Sequence, residues 1–497
     1  MTALTEVTNH GEPTPRKARR SEADRLVALA LQNRVELFQA SDGRLFAAVP
    51  VETHRETILL GSRTFRSWLG RLAYTEWGKV PGLSAVQAAV ATLAGMAEWD
   101  GDKQDVFVRI AEHEGSIYLD LGGPRREVVH VSPHETWAII TDPPVRFIRP
   151  PGMGELPRPV AGGSVEDLRP FMNLEDENAW KLLVGWLVFA LCPRGPFPIL
   201  DFSGEPGSGK TTQAKLVKRL IDPTTPELRS EMHEPRDLAI AAMNTRLLAF
   251  DNLSRLPRRT SDIFCRLSTG AGFTVRKLYE DTEETIFAGQ PHPVILTGIP
   301  ELATETDLAD RTIPLPAPAI PDAGRRPDAE LSTAFARAHP HILGALITAA
   351  EAALRSLPTV RLPRSPRMVE FVKWVTAAEG TLGWEPGTFL AVAEDARTLA
   401  SATTLEGVAL PDALRTFAKQ WTEWAGPSSE LLDHLRTIAG DRTRERGWPA
   451  NASHLGRDLP RLAPALRAVG VNVKSGRACG GDRERYVRVW LTSGVNR

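Results

Sequence analysis

"DFSGEPGSGKTTQAKLVKRL", residues 201–220, decides how this chain is read. Gly204, Gly207 and Gly209 lie close together, and Lys210, Thr211 and Thr212 follow at once. Upstream, "PFPILDFS" (196–203) reads as a buried strand. Downstream, "KTTQAKLVKRLI" (210–221) has a helical apolar period through Ala214, Leu216, Val217 and Leu220. The spacing fits G-x-x-x-x-G-K-[ST], carried by Gly204, Gly209, Lys210 and Thr211. Glycines let the loop Gly204, Glu205, Pro206, Gly207, Ser208, Gly209 curl so that successive N–H groups face anionic oxygens. The helix start adds its unpaired N–H groups and positive dipole end. This loop with Lys210, Thr211 and Thr212 is therefore expected to bind ATP. Lys210 would reach the β- and γ-phosphates, and the Thr211 hydroxyl would hold Mg²⁺.

The rest of the composition is permissive. The 497 residues suffice for about three domains. A hydrophobic content of 42% and a charged content of 24% are ordinary for a globular protein. A formal net charge of -1 gives no chain-wide attraction to nucleic acid, so any such contact must come from local patches. Cys192, Cys265 and Cys479 are far apart and lack metal-ligand spacing, which suits a reducing compartment. "LLVGWLVFALC" (182–192) is too short to span a bilayer and reads as a buried helix. The N-terminus lacks the apolar core of a signal peptide. A cytoplasmic protein without a membrane partner is expected.

Along the chain, residues 1–20 are polar, end in a basic knot (Lys17, Arg19, Arg20) and are expected to be disordered. Residues 21–165 read as an N-terminal α+β domain, including a hairpin that turns at Glu114-Gly115. The Pro/Gly-rich stretch 148–163 closes it. The nucleotide core spans 166–320, with "LPAPAIPDAGRRPD" (315–328) as a linker. A helical segment covers 321–427, and a separate C-terminal module covers 428–497.

Within the core, "TRLLAFDNLS" (245–254) supplies a second element, an acid ending an apolar strand. Asp251 lies 41 residues after Lys210 and would orient the metal. Asn252 follows, where many motor ATPases carry a glutamate. Asn cannot take a proton but can orient a water. Nucleotide binding thus follows more firmly than hydrolysis. A third strand, "HPVILTGIP" (292–300), carries Thr297 near its end, placed to contact a γ-phosphate or a water. "ETDLADRTIPL" (305–315) then sets Arg311 after a short acidic helix, either as a surface partner of Asp310 or as a finger on a neighbouring subunit's nucleotide.

"GEPGSGKTT", "LLAFDNLS", "CRLSTGAGFTVRKLYEDTEETIF", "PVILTGI" and "DLADR", in this order, resemble the helicase-like ATPases of phages, plasmids and mobile elements. These are similar to superfamily 3 helicases and the poxvirus-type primase-helicase, in the AAA+ class. The resemblance is strong over about 170–320. It implies a P-loop AAA+ fold in which Lys210 and Thr211 hold ATP-Mg²⁺ and Asp251 the metal. It further implies Thr297 as sensor, Arg311 as a finger acting in trans, and a homo-oligomeric ring, commonly a hexamer, moving on DNA. The Asp251-Asn252 dyad is at home in this family, whereas Thr297 stands where Asn is common. In superfamily 3 helicases a hairpin near 273–287 grips DNA with basic residues. Here its tip is acidic (Glu280, Asp281, Glu283), leaving Arg276 and Lys277 as candidates for DNA or a neighbour's nucleotide.

A primase would need clustered carboxylates. "EWDGD" (98–102) offers Asp100 and Asp102, but a solvated acidic turn is the better reading, and any priming activity is assigned to a separate primase. Residues 428–491 read as a helix (428–445), a short helix near "NASHLGRDL", a third helix ended by Gly470, and two strands. That order makes a winged helix. Lys474, Arg477, Arg483 and Arg485 in the wing, with Arg461 and Arg467 on the third helix, form a basic face suited to DNA phosphates or, alternatively, to solvent beside a protein partner. The expected whole is an α/β protein that hydrolyses ATP to move or unwind DNA in replication of a mobile element. An AAA+ switch or scaffold that moves no DNA is the alternative. A P-loop metabolic kinase is disfavoured, because it needs neither a winged helix nor an interface arginine.

Overall fold

The computed structural model of the chain describes residues 20–51, 54–230, 234–253, 256, 258–271, 273–276, 284–287, 290–298, 306–405, 408–445, 448–477 and 485–492. The tail expected to be disordered thus lies, except for Arg20, outside the described residues. The chain divides into two compact units, Met1–Val106 and Phe107–Arg497. The division falls inside the stretch that sequence alone groups as one domain over 21–165.

In the first unit the helix Glu22–Gln32 opens with a capping box. Ser21 Oγ accepts from Asp24 N, and the Asp24 carboxylate accepts from Ser21 N, both at 3.0 Å. A sheet runs in the order His54–Leu59, Leu45–Val51, Glu36–Gln39, Asp102–Lys103. Helices Arg63–Trp77 and Leu83–Trp99 cover it through Val49, Phe65, Leu69 and Leu93. Asp100 and Asp102 are both exposed, one at the end of the last helix and one on the edge strand.

The second unit begins with an antiparallel sheet, Ile110–His113, Ser116–Asp120, Val128–Val131 and Ala138–Ile140. The first hairpin turns through Glu114 and Gly115, both at positive φ (49° and 75°), as a tight hairpin requires. Ile117, Leu119, Val129 and Val131 join one core with Leu183, Leu220 and Leu343. A buried ionic knot ties this sheet to the end of the helix Lys210–Ile221. Fully buried Arg109 donates to Asp222 Oδ1 (3.0 Å), Asp120 O (2.9 Å) and Gly154 O (2.7 Å). Lys218 Nζ reaches Asp222 Oδ2 at 2.8 Å, and the backbone N–H groups of Arg246 and Leu247 donate to the same oxygen at 3.0 Å. Burial alone would raise the Asp222 carboxyl. Lys218 and Arg109 outweigh it and hold Asp222 well below the usual carboxylate range.

The central sheet is parallel, in the order Leu248–Leu253, Val294–Gly298, Ile199–Ser203, Thr312–Pro316. Both faces are covered, which is why its strands are near-continuous apolar runs. Leu200, Phe202, Ala249, Ile295 and Leu315 pack toward Leu216 and Leu220 of the helix Lys210–Ile221. Ile199, Leu248, Phe250, Val294 and Leu296 pack toward Leu238, Phe264 and Leu308 on the other face. The helix Glu177–Ala190 is buried from Trp180 onward except at Lys181, as its apolar run from Leu182 demands.

Four helices follow, Asp328–Ser356, Val369–Ala378, Thr388–Leu405 and Ala409–Trp421. The last belongs to a C-terminal core with the helices Ser428–Ala439 and Ala452–Ala468, through Leu414, Phe417, Leu432, Leu455 and Leu466. A three-stranded antiparallel sheet completes it, in the order Glu423–Pro427, Arg485–Leu491, Val471–Arg477. This core therefore starts upstream of residue 428. Residues 452–468 form one helix, where the prolines at 460 and 464 suggest two. Each interior proline costs about 3 kcal/mol, and burial of Leu455, Leu459 and Leu466 offsets this at about 1.5–3 kcal/mol each.

Candidate functional site

Function in an open parallel sheet concentrates at the carboxyl ends of its strands. Here the glycine-rich loop leaves the strand Ile199–Ser203 and enters the helix Lys210–Ile221. Gly204, Gly207 and Gly209 have φ of 153°, 84° and 81°. At Gly204 a Cβ would also lie 2.5 Å from Ala317 O, so no side chain fits. Lys210 Nζ donates to Gly204 O (2.7 Å) and Glu205 O (2.8 Å), which fixes the ammonium within the curl. Glu205 and Pro206 are exposed at the tip, Ser208 is buried with its hydroxyl unpartnered, and Thr212 lies in the first helical turn. No side chain caps the helix at Gly209. Its first N–H groups and the lysine form a cradle of the kind that binds an anion.

Three distant residues meet beside this loop. Thr211 Oγ1 donates to Asp251 Oδ1 at 2.9 Å, and Thr297 Oγ1 donates to the same oxygen at 2.5 Å. Asn252 N in turn donates to Thr297 Oγ1 at 3.0 Å. The pairing of Leu248–Leu253 with Val294–Gly298 shifts register between Phe250 and Leu253, and Asn252 sits there at φ 58°. That bulge turns a strand end into a platform of oxygens. A hydroxyl and a carboxylate side by side are hard donors of the kind Mg²⁺ takes from a protein when phosphates and water supply the rest.

Arg311 is not brought to this cluster. Its carbonyl accepts from Ile199 N at 2.8 Å, which places it at the amino end of the sheet. The five-residue strand Thr312–Pro316 separates it from the loop end, roughly 16 Å. Its Nη2 donates to Asp307 Oδ1 at 3.3 Å, and its buried Nε has no partner among the described residues. Arg367 shares Asp307 (3.1 Å) and also pairs with Asp310 (3.2 Å).

Arg276 ends the strand Phe273–Arg276, opposite Glu284 of the antiparallel strand Glu284–Phe287. Lys277 and the acidic tip lie outside the described residues. Lys474 is exposed and stands opposite Arg488, and Arg477 stands opposite Arg485. Arg483 also lies outside the described residues. Sequence reasoning missed Arg488 and Tyr486, both exposed, although the alternation in "YVRVWL" places them on one face with Trp490. It also missed Asn173, whose Nδ2 donates to Ser208 O (3.0 Å) and Pro318 O (2.6 Å). No local pattern marks a lone asparagine that joins segments so far apart.

Comparison with known proteins bears on residues 165–386 and 410–494. A model of the actinomycete integrative conjugative element replication protein matches residues 165–386, and a model of the AICE RepA C-terminal domain matches residues 410–494. No curated protein matches by sequence. Among solved structures, the apo C-terminal region of NrS-1 is similar at 11% identity, covering 94% of this chain and 99% of that one, with a TM-score of 0.41. SCCmec type IV Cch, an active helicase, is similar at 12% identity, covering 92% and 93%, with a TM-score of 0.45. The two RepA matches together run through well over half of the sequence, and the chain belongs to the family of actinomycete integrative conjugative element replication proteins.

Proposed function

We propose that the chain is an ATP-driven DNA translocase or helicase that serves replication of its mobile element. The observation that carries this reading is the meeting of Thr211, Asp251 and Thr297 beside the glycine-rich loop. Lys210 exchanges the carbonyls of Gly204 and Glu205 for phosphate oxygens. The loop N–H groups and the helix start hold the polyphosphate, with Thr212 in the first turn. Thr211 Oγ1 and Asp251 Oδ1 would hold Mg²⁺, which would supply positive charge to the phosphates. Thr297 keeps Asp251 oriented. Asn252 positions the attacking water without taking its proton.

Arg311 faces away from its own loop, so its role belongs to a neighbouring subunit, in a ring that is commonly hexameric. The order helix, strand, helix, helix, strand, strand over 409–491 suits a winged helix whose basic strands lie on DNA. Arg276 and Lys277 are secondary candidates for DNA. Priming falls to a separate primase.

The test is ATP hydrolysis with and without DNA, followed by strand displacement on a forked duplex. DNA-stimulated hydrolysis with displacement is expected, lost in Lys210→Ala and in Asp251→Ala. Hydrolysis indifferent to DNA, with no displacement, would instead identify an AAA+ switch or scaffold. Wild-type turnover in either variant would remove the site assignment.

A further inference from the structure

The segment after the strand Thr312–Pro316 runs along the glycine-rich loop from its first glycine to its last. Ala317 N donates to Ser203 O at 2.7 Å, and Ala317 O closes the space beside Gly204. Asn173 clamps Pro318 O to Ser208 O. A Cβ on Gly209 would lie 3.1 Å from Ile320 Cδ1, and a Cβ on Gly207 would lie 3.3 Å from Arg325 Nη2. A strap has thus been laid against the loop, and it ends by setting a guanidinium beside Gly207.

Among the described residues that guanidinium has no strong partner. Its carboxylate neighbour is Asp322, at 3.2 Å and 93% exposed, a pair of the kind that contributes little. Arg325 itself is 60% exposed and can swing. The adjacent Arg326 is different, being paired with Glu330 at 3.1 Å. Arg325 is set beside the loop that also holds Lys210 and leads into the helix N-terminus, with Glu205 and Asp322 as the nearby carboxylates. Its charge and that of Lys210 both favour an anion at the loop. Inside the loop the Ser208 hydroxyl is buried without a partner, a second polar group left open at this place.

We infer that Arg325 is a second cation on the polyphosphate of the nucleotide held by its own subunit, delivered there by the strap Ala317–Arg325. The inference rests on the nucleotide reading of the loop. A guanidinium presents a rigid planar fork that matches two phosphate oxygens, whereas a lysine ammonium acts as a compact point charge. The strap therefore adds a cation to a cradle made by Lys210 and the helix start, and Arg325 differs in kind from Arg311, which lies at the far end of the sheet.

The experiment measures binding of Mg·ATP and Mg·ADP to the full chain by calorimetry for the parent, Arg325→Ala, Arg325→Lys, Arg326→Ala and Lys210→Ala. Arg325→Ala should weaken both nucleotides by about tenfold, the worth of one charge-assisted contact at a partly exposed site. Arg325→Lys should lose less, and Arg326→Ala should match the parent. Thermal unfolding of nucleotide-free Arg325→Ala should also match the parent, which excludes a folding defect. If Arg325→Ala binds like the parent while Lys210→Ala has lost ATP, the inference is overturned and the loop reading stands. If Lys210→Ala binds ATP like the parent, the loop reading falls and the inference falls with it.

Discussion

Thr297 and Asp251 lie near the ends of adjacent parallel strands, and the Thr297 hydroxyl donates a 2.5 Å hydrogen bond to Asp251 Oδ1. The same hydroxyl accepts from Asn252 N, and Thr297 is only 1% exposed. One buried oxygen therefore sets the position of both members of the Asp251-Asn252 dyad. Thr297→Val keeps the volume and removes the hydroxyl. It should cost about 1–3 kcal/mol of stability, because Asn252 N–H loses its acceptor. ATP turnover should fall further than ATP affinity, and Thr297→Ser should recover most of both. Parallel measurement of unfolding, nucleotide affinity and turnover decides this. A Thr297→Val protein with parental turnover would leave the hydroxyl a purely structural role.

The glycine-rich loop was legible in the sequence because its signal is contiguous, with strand, glycines, lysine and helical period falling within one stretch. Asp251 and Thr297 were legible for a related reason. Each lies at or near the end of an apolar run, and parallel strands bring such ends to one edge of the sheet. The strap at 317–325 was not legible as part of the site. Proline and glycine report that a segment forms no helix or strand, and say nothing about the loop it lies against. Arg109 left no trace either. Its meaning depends on Asp222, 113 residues away, and on burial that only the folded chain creates.

Stability should depend on pH through His339. Burial pushes this imidazole down to about 4 from an ordinary 6.5, and its Nε2 lies 3.3 Å from Leu220 O. The folded state keeps it neutral, while the unfolded chain takes up a proton below about 6.5. Its contribution is therefore complete above 6.5 and is lost as pH falls toward 4. His292, also pushed down to about 4 by burial, acts in the same sense. Asp201, raised to about 7 by burial, opposes them over much of that window. The comparison with His339→Gln isolates one group. Between pH 6.5 and 4 the parent should lose about 1.4 kcal/mol per pH unit more than the variant. Parallel denaturation curves for the two proteins across this range would remove the assignment.

The basic strands of the C-terminal module make a prediction about salt. Lys474 is exposed, Arg477 stands in register with Arg485 across the strand pair, and Arg483 lies outside the described residues. Each phosphate contact contributes about -0.9 to the log–log salt slope on duplex and about -0.7 on single strands. Replacing all four with alanine should flatten the slope by roughly two to four units and weaken binding alike across DNA sequences. ATP turnover without DNA should stay near the parent, since the strands Val471–Arg477 and Arg485–Leu491 pack in a core separate from that of the helix Lys210–Ile221. Unchanged affinity and slope would turn the module into a docking surface, for instance for a separate primase.

Arg311 yields the most demanding prediction, because its position excludes the simplest role. It opens the edge strand Thr312–Pro316 at the amino end of the sheet, while Lys210 and Asp251 stand at the carboxyl end. It cannot reach the loop of its own chain, and Asp307 and its neighbour Arg367 hold the surrounding charges near balance. A finger acting on a second subunit is consistent with this placement. Arg311→Ala should then keep nucleotide affinity and lower turnover by roughly a thousandfold or more. Lys210→Ala is inactive for the opposite reason, since it lacks the cradle but keeps the arginine. Mixing the two inactive proteins creates some interfaces with an intact loop on one side and an intact Arg311 on the other, so activity should return in proportion to such pairs. Titrating one variant into the other while following phosphate release tests this. No recovery at any ratio, with mixed oligomers confirmed by tagged co-purification, would place Arg311 in the structural ion pairs alone.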